Sequence, residues 1–381
     1  MFPAVQQTPR DAVKAGGRAM KRNTDPNPQR FREDKDAGSI FVFPETLGFY
    51  FPVEDLAWVA PTCPARFTRR MKRLLRAQLL LAAVLFVSSV PRAKAQTSFA
   101  EPSPRLQAVV DSAVAEARKQ FPKLQASQIA VTLVDLRDPV KPSRASHRGG
   151  EQIYPASVIK LFYLAAAHRW MEDAKLTDMP ELRRAMSDMI VHSYNEATHY
   201  VLDVLTGTTS GPELPEAELK AWFDKRNAVN RYYAGLGYQN VVAHKKPWCE
   251  GPYGRESQAI KAFEPKRNFL STDDTARLMT EIATSKCVSA KRSGEMMALL
   301  KRDPFSKEKD ADSQSKFTGS VLPEGAKLWS KAGWTSQTRH DCAYVELADG
   351  RKFVLVTFTV DHASERGIIH AVARKVVEEL K

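Results

Sequence analysis

Ser157 and Lys160 lie three residues apart in the run Tyr154-Pro155-Ala156-Ser157-Val158-Ile159-Lys160, a spacing that places both on one face of a helix. A serine hydroxyl is a weak nucleophile near neutral pH. An adjacent amine whose ammonium form is destabilised by burial or by a second cation can take its proton. Pro155 suits the first turn of such a helix, where its missing N–H is no loss, and the apolar run from Leu161 to Ala167 predicts a buried, rigid helix behind the pair. Rigid placement is what nucleophilic catalysis needs. Because Ser-x-x-Lys alone recurs by chance in a chain of 381 residues, the weight falls on what lies downstream.

Two further short patterns follow in order. Ser193-Tyr194-Asn195 comes after the apolar Met189-Ile190-Val191, and Lys331-Ala332-Gly333 opens a strand. Taken singly, each reads equally well as a helix-terminus Ser/Asn pair or as a surface lysine before a glycine turn. As an ordered set behind an export signal they are far more specific.

The elements that must position these residues are legible in the hydrophobic period. Leu106, Val109, Val110, Ala113, Val114 and Ala117 predict a helix over Ser103–Phe121, and Ile129–Leu136 reads as a strand. Ser146–Tyr154 is a second strand with Gly149-Gly150 at a turn or bulge, leading into the Ser157 helix. A helix-rich stretch spans Leu161–Leu205, Thr206–Gly211 is a loop, and a further helix covers Glu216–Asn230. Val242–Phe269, interrupted by Pro247, Gly251, Pro252, Gly254 and Pro265, reads as one long loop framing a site. Ser271 caps a helix over Thr275–Thr284. Tyr344–Leu347 and Lys352–Thr359 form a hairpin around Asp349-Gly350, and Arg366–Leu380 closes the chain as an amphipathic helix. Strands near both ends with helices between them define an α+β fold, whose antiparallel sheet is built from the N- and C-terminal segments and completed by a helical lobe.

Composition bounds the rest. The net charge is +13, but residues 1–95 hold sixteen basic and eight acidic residues, +8 of that excess, leaving +5 for residues 96–381. A domain so mildly basic gives no nucleic-acid footprint. Residues 1–70 carry no sustained period and are expected to lack a fold, apart from the short apolar piece Ile40–Phe43. From Met71 the character changes. A basic opening, an apolar core over Leu79–Val90 and the small-x-small Ala93-Lys94-Ala95 make a complete signal peptide over 71–95, with cleavage near Ala95 and export as the expectation. The economical reading takes Met71 as the start and 1–70 as an upstream extension. The alternative is a membrane anchor, for which the apolar stretch is shorter than the roughly 20 residues a spanning helix needs. Residues 96–381 are then one domain of 286 residues. Three of the four cysteines remain in it, Cys249, Cys287 and Cys342. Their odd number and spacing point to structural thiols. His192, His199, His244 and His340 lack ligand spacing, so no metal or other cofactor is expected.

With its three motifs in this order, the chain resembles the class A serine β-lactamases and the related penicillin-binding proteins over essentially residues 100–381. Pro155-Ala156 before Ser157, and Gly333-Trp334-Thr335 and Arg339-His340-Asp341 after the third motif, carry the likeness further. The resemblance implies a β-lactamase/transpeptidase-like fold and acyl transfer without a cofactor. Ser157 would attack a lactam carbonyl, Lys160 would help remove its proton directly or through water, and Ser193 would protonate the departing nitrogen beside Lys331. Asn195, Gly333, Trp334 and Thr335 would bind substrate, with the N–H groups of Ser157 and Trp334 as the oxyanion hole.

Three departures stand out. Ala332 replaces a hydroxyl, the first two motifs are only 36 residues apart, and no clear Glu-x-x-Leu-Asn supplies a deacylating acid. Glu256 and Glu250, ahead of Ser271, are the nearest substitutes, and each also reads as a solvated loop acid. A β-lactam or a peptidoglycan-peptide-like small molecule is the expected partner of a monomer that meets a membrane only through its signal segment. Three readings remain open: a β-lactamase, a D-alanyl-D-alanine peptidase or amidase on the same scaffold, and a non-hydrolytic wall-fragment binding module.

Overall fold

The computed structural model describes residues 99–248 and 251–380. All of them lie in the second of two units into which the chain divides, Pro91–Lys381. The upstream extension expected over 1–70, the signal peptide expected over 71–95, Cys249 and Glu250 fall outside the described residues.

One sheet organises these residues, in the order β1-β3-β2-β7-β6-β5-β4. Its strands are β1 Glu101–Pro102, β2 Ile129–Asp135, β3 Ser143–His147, β4 Lys301–Arg302, β5 Lys327–Trp334, β6 Thr338–Glu346 and β7 Lys352–Val360. β1 to β3 come from the N-terminal part and β4 to β7 from the C-terminal part, as the sequence implies. The sheet is mixed rather than purely antiparallel, because the short edge strand β1 runs parallel to β3.

Every residue of β2 is buried, which explains why it is mostly apolar on both sides, with only Thr132 and Asp135 polar: both faces of the sheet are covered. On one face Ile129, Val131 and Leu133 pack with helices α1 (Pro104–Gln120) and α10 (Gly367–Glu379), through Leu106, Val110 and Ala117 of the first and Ile368, Val372 and Val376 of the second. Ser103 Oγ caps α1 by accepting from Leu106 N. On the other face Ala130 and Val134 meet α2 (Ile159–Glu172), whose Phe162, Tyr163 and Leu164 are fully buried. Each such large side chain contributes about 1.5–3 kcal/mol by leaving water, so α2 is a fixed platform.

The rest of the helical lobe is α3 (Pro180–Ser187), α4 (Asn195–Thr206), α5 (Glu216–Arg226), α6 (Ala228–Gly235), α7 (Gly254–Ala262), α8 (Thr272–Ala283) and α9 (Ala290–Leu300). Ser271 Oγ accepts from Asp274 N and caps α8, one turn earlier than the hydrophobic period alone indicates.

Several boundaries differ from the sequence reading. The second strand ends at His147, before the glycine pair, and Ile153 then makes an isolated bridge to Leu270. The helix over Glu216–Asn230 breaks at Asn227 into α5 and α6. The long loop contains α7, whose polar Gly-Arg-Glu-Ser opening hides its period. Lys331 sits in the middle of β5 rather than at its start.

Candidate active site

Ser157 is not on the α-helix itself but on a tight single turn, Ala156–Val158, that leads into α2. Ala156 takes φ 45°, a left-handed backbone that a residue with a β-carbon adopts only when its surroundings enforce it. Two elements do so. His340 Nε2 donates to the carbonyl of Tyr154 (2.9 Å) while its Nδ1 accepts from Thr359 N (3.1 Å), which fixes the ring's tautomer. Gly333, paired with His340 across β5 and β6, lies against the turn so closely that a β-carbon there would stand 2.6 Å from Ser157 N and 2.8 Å from Val158 N. Strand side chains alternate, so Lys331 shares this face with Gly333.

The second hydroxyl is held in the same manner. A wide turn over Asp188–His192 ends on Ser193, which is left-handed at φ 60° and ψ 30°, and α4 begins two residues later at Asn195. Lys160 Nζ donates to Ser193 O (2.5 Å), Ser193 Oγ (3.2 Å) and Asn195 Oδ1 (2.7 Å). From the opposite side Lys331 Nζ donates to Ser193 Oγ (3.0 Å), to Gln314 Oε1 (3.0 Å) and to Ala332 O (2.7 Å). Two amines that are 171 positions apart in the chain therefore converge on one hydroxyl.

Both lysines are fully buried. Burial, Lys160 and Arg302 together hold the Lys331 amine well below the usual lysine range, with Asp341 opposing them. The Ser157 hydroxyl is half-buried.

Four of the five residues expected to be catalytic, Ser157, Lys160, Ser193 and Lys331, thus fall in one neighbourhood, along with Asn195 and Gly333. Trp334 follows Gly333 at the end of β5 and is 37 % exposed. Thr335 stands apart. Its Oγ1 accepts from Gln337 N (3.1 Å) and Thr338 N (3.2 Å), capping the β5–β6 turn, and it lines a separate cavity with Tyr154 and Arg267.

Glu256 belongs to a different cluster, and it is buried on a helix rather than a solvated loop acid. It is 2 % exposed on α7. Its Oε1 accepts from Arg226 (2.9 Å) and Ser210 (3.0 Å), with Lys246 Nζ at 3.5 Å. Asp203 completes the cluster through Arg226 (3.0 Å) and Lys246 (2.6 Å). Two cations thus offset its charge, and its contacts include none of Ser157, Lys160 and Ser193.

The replaced hydroxyl also gains a context. Ala332 is fully buried with Phe317 and Ile369, so its methyl fills an apolar cluster. The histidines are structural or peripheral: His199 pairs with the carbonyl of Pro247 and His244 with that of Pro265, while His192 stacks on Tyr194. Cys287 and Cys342 are buried free thiols, and burial pushes the Cys287 thiol up to about 12. Gln314 was not visible in the sequence at all. It lies between β4 and β5 with no motif around it, and only the fold brings it to Lys331.

A sheet flanked by helices, with a serine turn facing an interior strand and two lysines meeting on a second serine, defines a serine hydrolase scaffold of the β-lactamase/transpeptidase type. The chain belongs to the β-lactamase enzyme family, whose model matches residues 178–380, 203 of the 381. That segment includes Ser193 and Lys331 and begins after Ser157. Comparison with curated protein sequences finds no match.

Solved structures agree on the fold. The chain is similar to a β-lactamase from Sphaerobacter thermophilus at 18% identity, with 71% of this chain and 96% of the other covered and a TM-score of 0.51. A β-lactamase from Chitinophaga pinensis matches at 17% identity, 73% and 100% coverage and a TM-score of 0.51. A mutant of PBP-A, solved as its acyl-enzyme with penicillin G, matches at 18% identity, 74% and 97% coverage and a TM-score of 0.51.

Proposed function

We propose that this protein is an exported serine β-lactamase, acylated at Ser157 by β-lactams and hydrolysing the adduct. The observation that carries the reading is the convergence of Lys160 and Lys331 on the Ser193 hydroxyl, beside the turn that holds Ser157. In this mechanism Ser157 attacks the lactam carbonyl while Lys160 helps to take its proton, directly or through water. Negative charge develops on the carbonyl oxygen between the N–H groups of Ser157 and Trp334, which Gly333 allows to lie close together. Ser193 gives its proton to the departing nitrogen, and Lys331 provides a positive field for the substrate carboxylate. Asn195 orients the substrate's amide.

Deacylation requires a general base, a carboxylate that takes a proton from the attacking water. With Glu256 engaged by Arg226 and Lys246, we assign that role to Glu250. Glu250 is the other acid that the sequence offers as a substitute ahead of Ser271. The Ala332 substitution and the buried Glu256 favour one second reading, a penicillin-binding-protein-like peptidase whose acyl-enzyme persists.

Intact-protein mass spectrometry after mixing with benzylpenicillin tests both. A transient adduct with turnover supports the β-lactamase, a lasting adduct supports the peptidase, and no adduct at all contradicts acylation. Export rests on the 71–95 segment, and N-terminal sequencing of protein recovered outside the cytoplasm, starting near Gln96, would support it.

A further inference from the structure

Gln314 is 7 % exposed and spends all of its amide groups at the site. Its Nε2 donates to the carbonyls of Ile190 and Val191, both at 2.8 Å. Its Oε1 accepts from Lys331 Nζ (3.0 Å) and from Ala332 N (3.3 Å). A carbonyl oxygen can only accept, so the amide cannot turn over, and its oxygen must face Lys331.

Ile190 and Val191 belong to the wide turn that ends on Ser193. One side chain therefore ties the turn carrying the hydroxyl to the strand carrying the amine.

The donor count then fixes the direction of the proton. An ammonium has three N–H groups, and Lys331 finds three acceptors: Gln314 Oε1, Ala332 O and Ser193 Oγ. With the first two immobile, the third N–H is aimed at Ser193. Lys160 donates to the same oxygen from the other side, which fills both of its lone pairs and leaves the Ser193 proton free to point outward.

We infer that Gln314 is a positioning residue for proton delivery to the departing nitrogen, acting through Lys331 and Ser193; the assignment rests on the acylation reading above. As the C–N bond breaks, its electron pair stays on nitrogen, which takes the Ser193 proton. Ser193 Oγ regains a proton from an ammonium group it faces, and the proton leaving Ser157 restores that amine.

Among the described residues the charged groups around Lys331 are Lys160 from α2, Arg302 from β4 and Asp341 from β6, and no carboxylate hydrogen-bonds to it. A carboxylate at position 314 would add a counter-ion 3.0 Å from Nζ and favour the protonated form.

The test compares two acyl donors on the full-length protein. Benzylpenicillin needs a protonated leaving nitrogen, whereas the phenolate of an activated p-nitrophenyl ester leaves without one. Gln314→Met should slow acylation by penicillin roughly ten- to a hundredfold and acylation by the ester less than about threefold, the signature of lost general-acid catalysis. Gln314→Glu should retain acylation and move the basic limb of its pH profile upward, and thermal unfolding of both variants shows that they are folded. Equal loss on both donors, no loss on either, or an unmoved limb in Gln314→Glu would overturn the inference. Failure of the wild-type protein to react with penicillin would instead overturn the acylation reading and the inference with it.

Discussion

Gly333 and Ser157 are in backbone contact: a β-carbon on the glycine would stand 2.6 Å from the serine amide nitrogen, closer than such atoms approach. Strand β5 therefore reads the nucleophile turn through its main chain, and the glycine of the third motif is fixed by space rather than by a turn. Gly333→Ala must push the strand or the turn aside. Misplacing reacting groups by about 1 Å costs on the order of a hundredfold in rate, so acylation measured by stopped-flow with a chromogenic cephalosporin should fall by at least that factor, with far-UV circular dichroism unchanged.

Ser193 Oγ is the common acceptor of two buried lysine amines. Ser193→Ala deletes the proton donor and leaves Lys160 and Lys331 facing each other without the intervening oxygen. General-acid loss of this kind costs roughly a hundred- to ten-thousandfold. Acylation by penicillin should drop within that range while KM for the substrate changes little, and a change confined to KM would contradict the role.

The cluster around Glu256 predicts a stability phenotype. Glu256→Gln leaves Arg226 and Lys246 short of one counter-charge in a buried setting, and breaking such a pair costs about 3–5 kcal/mol. Urea unfolding should report that loss, with the adduct lifetime unchanged. Glu250→Gln should prolong the adduct.

Buried titratable groups set the pH dependence of stability. Burial holds His168 and His340 down to about 4 and His244 to about 3, below the ordinary 6.5. Unfolding frees them to take up protons, so each withdraws stability as pH falls from 6.5 toward those values. Asp341 acts oppositely. Burial raises it from 3.8 to about 6, so ionising it in the folded state costs stability above pH 6, and that cost is relieved as pH falls toward 4. Each histidine makes the unfolding free energy decline below pH 6.5, and Asp341, with Asp203 and Asp274 raised in the same direction, opposes that decline. Asp341→Asn removes the relief and should steepen the decline by about 3 kcal/mol over this window. An unaltered slope in a urea series would contradict the assignment.

Much of the site was legible because its chemistry is encoded in short runs. Ser157 with Lys160, Ser193 with Asn195, and Lys331 with Gly333 are local pairs, and β2, α1 and α10 declare themselves through uninterrupted apolar periods. Features made by distant contacts were not legible. Gln314 earns its place only because β4 and β5 bring it under the Ser193 turn, and the partners of Glu256 lie between 10 and 46 residues away along the chain. Thr335 looked like a substrate contact from its position after Gly333, yet the β5–β6 turn draws its hydroxyl into backbone capping. The strained turn at Ala156 carries no local signal either, since His340 and Gly333 impose it from the sheet.

Site-resolved labelling tests the central claim most directly. The wild-type protein is mixed with benzylpenicillin, quenched in acid, digested and mapped by tandem mass spectrometry. The account predicts a penicilloyl group on Ser157 alone, absent from Ser157→Ala and formed far more slowly in Ser193→Ala. An adduct on any other residue, or equal labelling of Ser157→Ala, would contradict it.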